Sequence, residues 1–386
     1  MAIMSLNTGA FDAILANAVS TGVAPGLALT VVGPNGVLYS GAHGIEPDTI
    51  FRYASCTKAI ASTAALQLIE QGRMRLDDEV AAHLPEFGKL QVLDSFADGQ
   101  PILRAPSRPA LVRELMNHTS GAAYFFTSTD IAKYHEVTGT PTILSGAKAS
   151  VTEVPLLNDP GTTWWYGTST DWLGLLVEQV SGQPLDEYIE QHIAGPLGMT
   201  DLTFHPTDGQ QARMMPIFSR TSEGGLVEVS LELADQPEFW AGGHGLHGTV
   251  EAYARFMRAL LRGGELDGAR ILNEETVELA FSDSLRGVPM PAEGIPTSAP
   301  ELSNDVPPYP FAEGWGLGFH LTLEDVPDAR RAGTGDWAGL FNLYYFIDRA
   351  TGVGAMLATQ VLPFFDWPIV ETFMQIEGTI YAGLTE

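Results

Sequence analysis

The stretch Ile50-Phe51-Arg52-Tyr53-Ala54-Ser55-Cys56-Thr57-Lys58-Ala59-Ile60 sets a serine and a lysine three residues apart in a chain whose only lysines are Lys58, Lys89, Lys133 and Lys148. Residues i and i+3 share one face of a helix, so the Lys58 amine can reach the Ser55 hydroxyl and, when neutral, take its proton. Such a pair is a serine nucleophile with a lysine base. The same spacing recurs at Ser145-Gly146-Ala147-Lys148, but context separates the two. Ser55 follows an apolar, strand-like approach and opens a run with Ile60, Ala64 and Leu68 at helical spacing, ended by Gly72. A serine there sits at a helix N-terminus, where unpaired N–H groups favour developing negative charge. Ser145 has Gly146 directly behind it and no amphipathic continuation, which reads as loop.

Working outward, 386 residues suffice for one large domain or two interleaved ones with a full apolar core. Twenty basic residues against 47 acidic ones give a net charge of -27, which repels phosphate backbones and anionic membranes; neither nucleic acid nor membrane is expected as a partner. The single cysteine, Cys56, excludes an internal disulfide and a four-cysteine zinc site. Phe11, Ile14, Leu15 and Val19 read as one face of an amphipathic helix, with no basic segment before an apolar core, so a cytoplasmic location is expected. No apolar run is long enough to span a membrane, and no fixed-period repeat is present.

Gly26 to Val32 and Val37 to Ser40 read as strands joined at Gly33-Pro34-Asn35-Gly36, with Asn-Gly as the hairpin signal. From Ser55 to about Phe281 the pattern is mostly helical. Leu173, Leu176, Val177 and Val180 form one stripe, and Tyr253, Phe256, Met257 and Leu260 another; both are assigned to the core. Arg286 to Pro310 holds seven prolines and little periodicity, so it is expected to be an irregular loop near the cleft. Gly316 to Leu323, Leu340 to Ile347 and Val353 to Gln360 are strand-like, and Pro368 to Leu384 closes the chain as a helix. The expected architecture is α/β of the α+β kind. Residues 1–60 and 311–386 contribute an antiparallel sheet with flanking helices, and 61–285 form an inserted, mainly helical region. The cleft between them is the place for a substrate.

A serine–lysine pair needs a neighbouring proton carrier, and the sequence offers Tyr166 within Pro160-Gly161-Thr162-Thr163-Trp164-Trp165-Tyr166-Gly167-Thr168-Ser169-Thr170-Asp171. Near an ammonium a phenol ionises more easily, so Tyr166 could serve as base towards Ser55 and as acid towards the leaving alcohol.

The chain resembles the serine hydrolases of the class C β-lactamase (transpeptidase-like) fold, and within them family VIII carboxylesterases and fungal polyketide acyltransferases. The resemblance runs over nearly the whole length. It rests on S-x-x-K, Leu115-Met116-Asn117-His118-Thr119-Ser120-Gly121, the Trp164 to Gly174 segment, Gly242-Gly243-His244-Gly245-Leu246, Gly314-Trp315-Gly316-Leu317-Gly318 and Trp337-Ala338-Gly339, in the family's order. It implies that Trp337-Ala338-Gly339 lies on a strand where β-lactamases carry K-T-G. It also implies that the backbone N–H groups of Ser55 and Leu340 form the oxyanion hole. Trp337 then replaces a lysine that attracts a substrate carboxylate, and Thr168 replaces the asparagine of Y-x-N. Both changes favour an uncharged ester over a β-lactam.

Other residues receive quieter roles. Cys56 is rotated by about 100° from the nucleophile's position and is assigned to packing. His118 is expected to hold its loop through hydrogen bonds. His244 and His247 supply half a metal site at most, so no metal and no organic cofactor is expected. No G-x-S-x-G elbow is present. Gly339, Thr168 and Phe125 join Trp337 as expected substrate contacts, with Trp164, Trp165 and Phe126 as further aromatic lining. The expected activity is carboxylesterase chemistry on a small-molecule ester through an acyl-Ser55 intermediate. The rivals are acyl transfer to another alcohol, β-lactamase or D-alanyl-D-alanine peptidase action, and a silent binding protein of the same fold.

Overall fold

Leu27–Gly33 (β1) carries apolar residues without polar alternation, and the computed structural model shows why: all seven residues are buried because the strand is covered on both faces. The structure describes residues 3, 4, 6–231, 233, 234 and 236–385. Leu27, Leu29 and Val31 face a helix pair, Thr8–Ser20 (α1) and the C-terminal helix, through Phe11, Leu15, Phe373 and Ile376. Ala28 and Val32 point to the opposite core with Tyr253, Phe256 and Met257. Period-2 alternation thus sorts the strand's side chains between two cores.

β1 pairs with Gly36–His43 (β2) on one side. On the other side the chain's far end supplies its neighbours: Glu313–Trp315 (β3), His320–Thr322 (β4), Gly335–Gly339 (β5), Leu343–Asp348 (β6) and Val353–Ala358 (β7). The antiparallel order is β3-β4-β5-β6-β7-β1-β2, with Ala358 opposite Ala28 and Gly354 opposite Val32 at the seam between the chain's two ends. The C-terminal helix, Trp367–Ala382, lies beside α1 on one face. Thr57–Glu70 (α2), Ser169–Ser181 (α3) and Val250–Leu261 (α4) build the other side. We label the C-terminal helix α5. No described helix is long and apolar enough to cross a membrane.

Several expected boundaries move. The first hairpin turns at Pro34-Asn35, with Gly33 opposite Gly36. Gly316 to Leu323 is the turn after β3 followed by β4, because the apolar run continues through a tight reversal in which the Gly316 N–H donates to the Phe319 carbonyl. Leu340 belongs to the turn between β5 and β6. The middle of the chain also carries small hairpins, Val92–Ala97 with Gln100–Arg104 and Ile217–Arg220 with Leu226–Val229. Residues 286–310 contain no helix or strand. They are tied down by an Ile295–Val306 bridge, a Ser303–Phe364 bridge and the bonds from Ser298 to the Phe125 and Phe126 carbonyls.

Candidate active site

The turn that delivers the serine is strained in one place: Ala54 has φ +45°, a left-handed value unusual for a residue with a side chain. Ser55 lies in the short 3-10 turn Ala54–Cys56, and α2 begins two residues later. Lys58, on the first turn of α2, is 1% exposed and reaches back to Ser55 Oγ at 3.1 Å. A buried lysine needs partners for its protons. The Lys58 ammonium position also donates to the Tyr124 hydroxyl at 3.0 Å and to the Gly243 carbonyl at 2.8 Å.

Those two partners are fixed in role. A carbonyl only accepts, and the Tyr124 hydroxyl donates its own proton to Asp171 Oδ2 at 3.0 Å, so towards Lys58 it must accept as well. The remaining position on the nitrogen points at Ser55, the geometry that proton transfer between the two side chains would need. Burial drives the Tyr124 phenol well above its ordinary pKa, and Asp171 adds to the effect, so Tyr124 stays protonated. Asp171 is itself fully buried. Burial opposes its ionisation, but His244, Lys58 and Tyr124 together hold its carboxyl below the usual range. Gly243 closes the arrangement: its N–H donates to Asp171 Oδ1 at 3.0 Å, and a Cβ there would fall 2.6 Å from that carboxylate.

Tyr166 approaches Ser55 from the other side, its hydroxyl donating to Oγ at 2.6 Å. Trp337 Nε1–H donates to the Tyr166 oxygen at 3.2 Å, which orients the phenol. Trp337 comes from β5, two residues before Gly339. A Cβ on Gly339 would lie 2.4 Å from the Tyr53 carbonyl, so only glycine lets this strand end press against the segment that carries Ser55. That approach places Leu340 in the wall of the same cavity as Ser55.

The structure therefore brings Ser55, Lys58, Tyr166, Trp337, Gly339 and Leu340 together, the last four with Ser55 lining a cavity of about 550 Å³. It does not bring in Phe125 or Thr168. Phe125 is turned against Phe126 and His135, and Phe126 and Thr127 line the cavity in its stead. Thr168 is buried at the N-cap of α3. Trp164 packs on Trp315 and Tyr166 inside the core, so the expected aromatic wall reduces to Trp337 and Phe126 among those five residues. His118 differs too: its buried Nδ1 finds no partner, and the ring is held by packing against Trp164, Tyr166 and Trp315. Cys56 is fully buried and burial pushes its thiol up, leaving it unreactive. Ser145 Oγ donates to the Thr142 carbonyl in a surface turn. His244 pairs with Asp171, and no group of three metal-binding side chains occurs among the described residues.

Tyr124 and Asp171 are the polar groups that spacing did not single out as partners of Lys58. Asp171 stands in the quoted Trp164 to Gly174 segment, but its link to Lys58 runs through a tyrosine 66 positions from the lysine.

Compared with known proteins, residues 11–374 match the β-lactamase family model. A lovastatin esterase of Penicillium rubens is 33% identical over 82% of this chain and 81% of its own length. A monacolin J acid methylbutanoyltransferase of Aspergillus terreus is 30% identical over 88% of this chain and 83% of its own. The unliganded structure of simvastatin synthase from Aspergillus terreus superposes with a TM-score of 0.83 at 28% identity, covering 97% of this chain and 98% of that one.

Proposed function

The chain belongs to the β-lactamase family and is an enzyme of its serine hydrolase and acyltransferase group, and from that premise we propose that it is a carboxylesterase acting on uncharged esters through acyl-Ser55. The observation that carries the reading is the double contact on one oxygen: Ser55 Oγ receives Lys58 at 3.1 Å and Tyr166 at 2.6 Å. Ser55 Oγ attacks the ester carbonyl while its proton passes to Lys58, with Tyr166 as the second proton carrier. The oxyanion meets the Ser55 and Leu340 N–H groups. Tyr166 then protonates the departing alcohol, leaving acyl-Ser55 for a second nucleophile to release.

That nucleophile is water or a second alcohol. The acyltransferase reading has its own support in the family company described above and in a cavity wall made mostly of Met290, Ile295, Val306, Phe365 and similar apolar side chains, which limit water. Trp337, in place of a cationic anchor, supports esters over β-lactams. A cytoplasmic location and an ester as the only small-molecule partner belong to the same reading.

The test is hydrolysis of short p-nitrophenyl esters by wild type and Ser55→Ala, with intact-mass detection of the acyl adduct. Ser55→Ala should lose roughly 10⁴-fold or more in kcat and all of the adduct. Activity that survives the substitution overturns the mechanism. Adding an alcohol then divides the two readings: transferase chemistry raises ester product at constant p-nitrophenol release.

A further inference from the structure

The cavity has a second polar locus that the chemistry at Ser55 does not use. His320 on β4 and Asp336 on β5 are register partners, and Glu313 lies on the adjoining β3. His320 Nδ1 meets Asp336 at 3.0 Å, and Nε2 meets Glu313 at 3.0 Å. Ionised carboxylates only accept, so both ring nitrogens donate and the imidazole is a cation. Arg330 pairs with Asp336 and, through two bonds of 2.7 and 3.0 Å, with Glu377 of α5.

All five groups line the cavity beyond Trp337. The indole stands 5.0 Å from the Tyr166 ring and 6.4 Å from the His320 ring, so a single side chain separates the locus from the reacting end. Three carboxylates against two cations leave one negative charge. The His320, Asp336 and Arg330 side chains lie deepest, at 1%, 4% and 8% exposed, and the two glutamates, Glu313 and Glu377, reach furthest out at 14% each. Glu313 commits Oε2 to His320, while Oε1 accepts from no described residue. The surrounding wall is apolar, formed by Val326, Phe365, Val370 and Met374. An available carboxylate oxygen in an apolar chamber, inside a protein of net charge -27, attracts a compact cation and repels an anion.

We propose that this locus binds a primary ammonium group carried on an apolar chain, so that the preferred ester bears a protonated amine remote from the bond being cleaved. The part concerning esters rests on the function proposed above; the binding of the amine does not.

Calorimetry on the wild-type protein with hexylammonium, 1-hexanol and hexanoate at one ionic strength tests it. Hexylammonium should bind about tenfold more tightly than 1-hexanol, the size of one hydrogen bond to a charged group, and hexanoate more weakly than either. Glu313→Gln should bring hexylammonium to within about twofold of 1-hexanol, whereas Glu251→Gln, on the exposed face of α4, should keep the ratio, since only a local charge acts at this range. Should Glu313→Gln fail to fold, Glu377→Gln, which leaves Glu313 Oε1 free but cancels the one net negative charge, should lower the ratio through charge alone. Equal binding of amine and alcohol by the wild type overturns the inference, as does a ratio that persists in both Glu313→Gln and Glu377→Gln. Hexylammonium should also inhibit p-nitrophenyl acetate hydrolysis competitively. Absence of any ester turnover would refute the proposed activity, while the calorimetric series would still decide the subsite.

Discussion

Two buried polar networks share one cavity and are wired differently. Around Ser55, Lys58 and the anion Asp171 never touch; the neutral Tyr124 hydroxyl stands between them, and the Tyr166 hydroxyl meets Ser55 from the other side. Around His320, opposite charges are in direct contact, carboxylate to imidazolium and carboxylate to guanidinium. A hydroxyl can pass a proton on or change its donor, so the first network can move charge. Ions in contact hold each other's protonation fixed, so the second is a static field that shapes the cavity.

The contrast breaks most visibly at its strongest links. Arg330→Ala leaves Asp336 and Glu377 short of their buried cation and should cost roughly 3–5 kcal/mol of stability, read from denaturant unfolding; a cost under about 1 kcal/mol would mean that water already serves these carboxylates. Tyr166→Phe removes the proton carrier without altering the fold and should reduce kcat by roughly 10²–10⁴-fold at unchanged melting temperature. Tyr124→Phe sharpens the comparison, since it deletes the neutral bridge alone. Kinetics should show roughly a ten- to hundredfold fall in kcat with little change in KM, and an altered pH profile that a purely structural role would not produce.

The smallest effect is a pH dependence of stability. Burial alone would lower the His320 pKa, but Asp336 and Glu313 outweigh it and raise it to about 9. A raised folded-state value means that stability from this ring is fully present below its unfolded value of about 6.5 and is lost as pH climbs through about 9. Asp336 runs the opposite way: its lowered value contributes stability above the ordinary carboxylate range and loses it in acid. Unfolding free energy should therefore fall between about pH 7 and 10 in the wild type and be flatter there in His320→Gln. Equal slopes in the two proteins would show that the imidazolium is not stabilised by its neighbours.

The Ser55–Lys58 pair was legible because a helix turns its spacing directly into contact, and Gly182 and Gly263 marked helix ends for the same local reason. Tyr166 was legible through the order of motifs and lies where that order implied. Phe125 and Thr168 were misplaced because neighbours in sequence point in different directions: Phe126 and Thr127 face the cavity, and Phe125 does not. The strand Gly335–Gly339 has glycines at both ends and a charge inside, which hides it from periodicity. Tyr124 gave no local signal, since its partner is a lysine 66 residues away.

By itself, then, the sequence determined what short-range geometry can encode: the contact between Ser55 and Lys58, the helical stripes, the two apolar ends that build one sheet, and a net charge of -27. Only the tertiary structure decided which groups complete the site. Lys58, Tyr124, Asp171 and Gly243 come from separate segments, and Glu313, His320, Arg330, Asp336 and Glu377 meet only when β3, β4 and β5 pair and α5 packs beside them. The physical reason is burial. A charge taken out of water must find its partners wherever the fold supplies them, and no spacing along the chain records that choice.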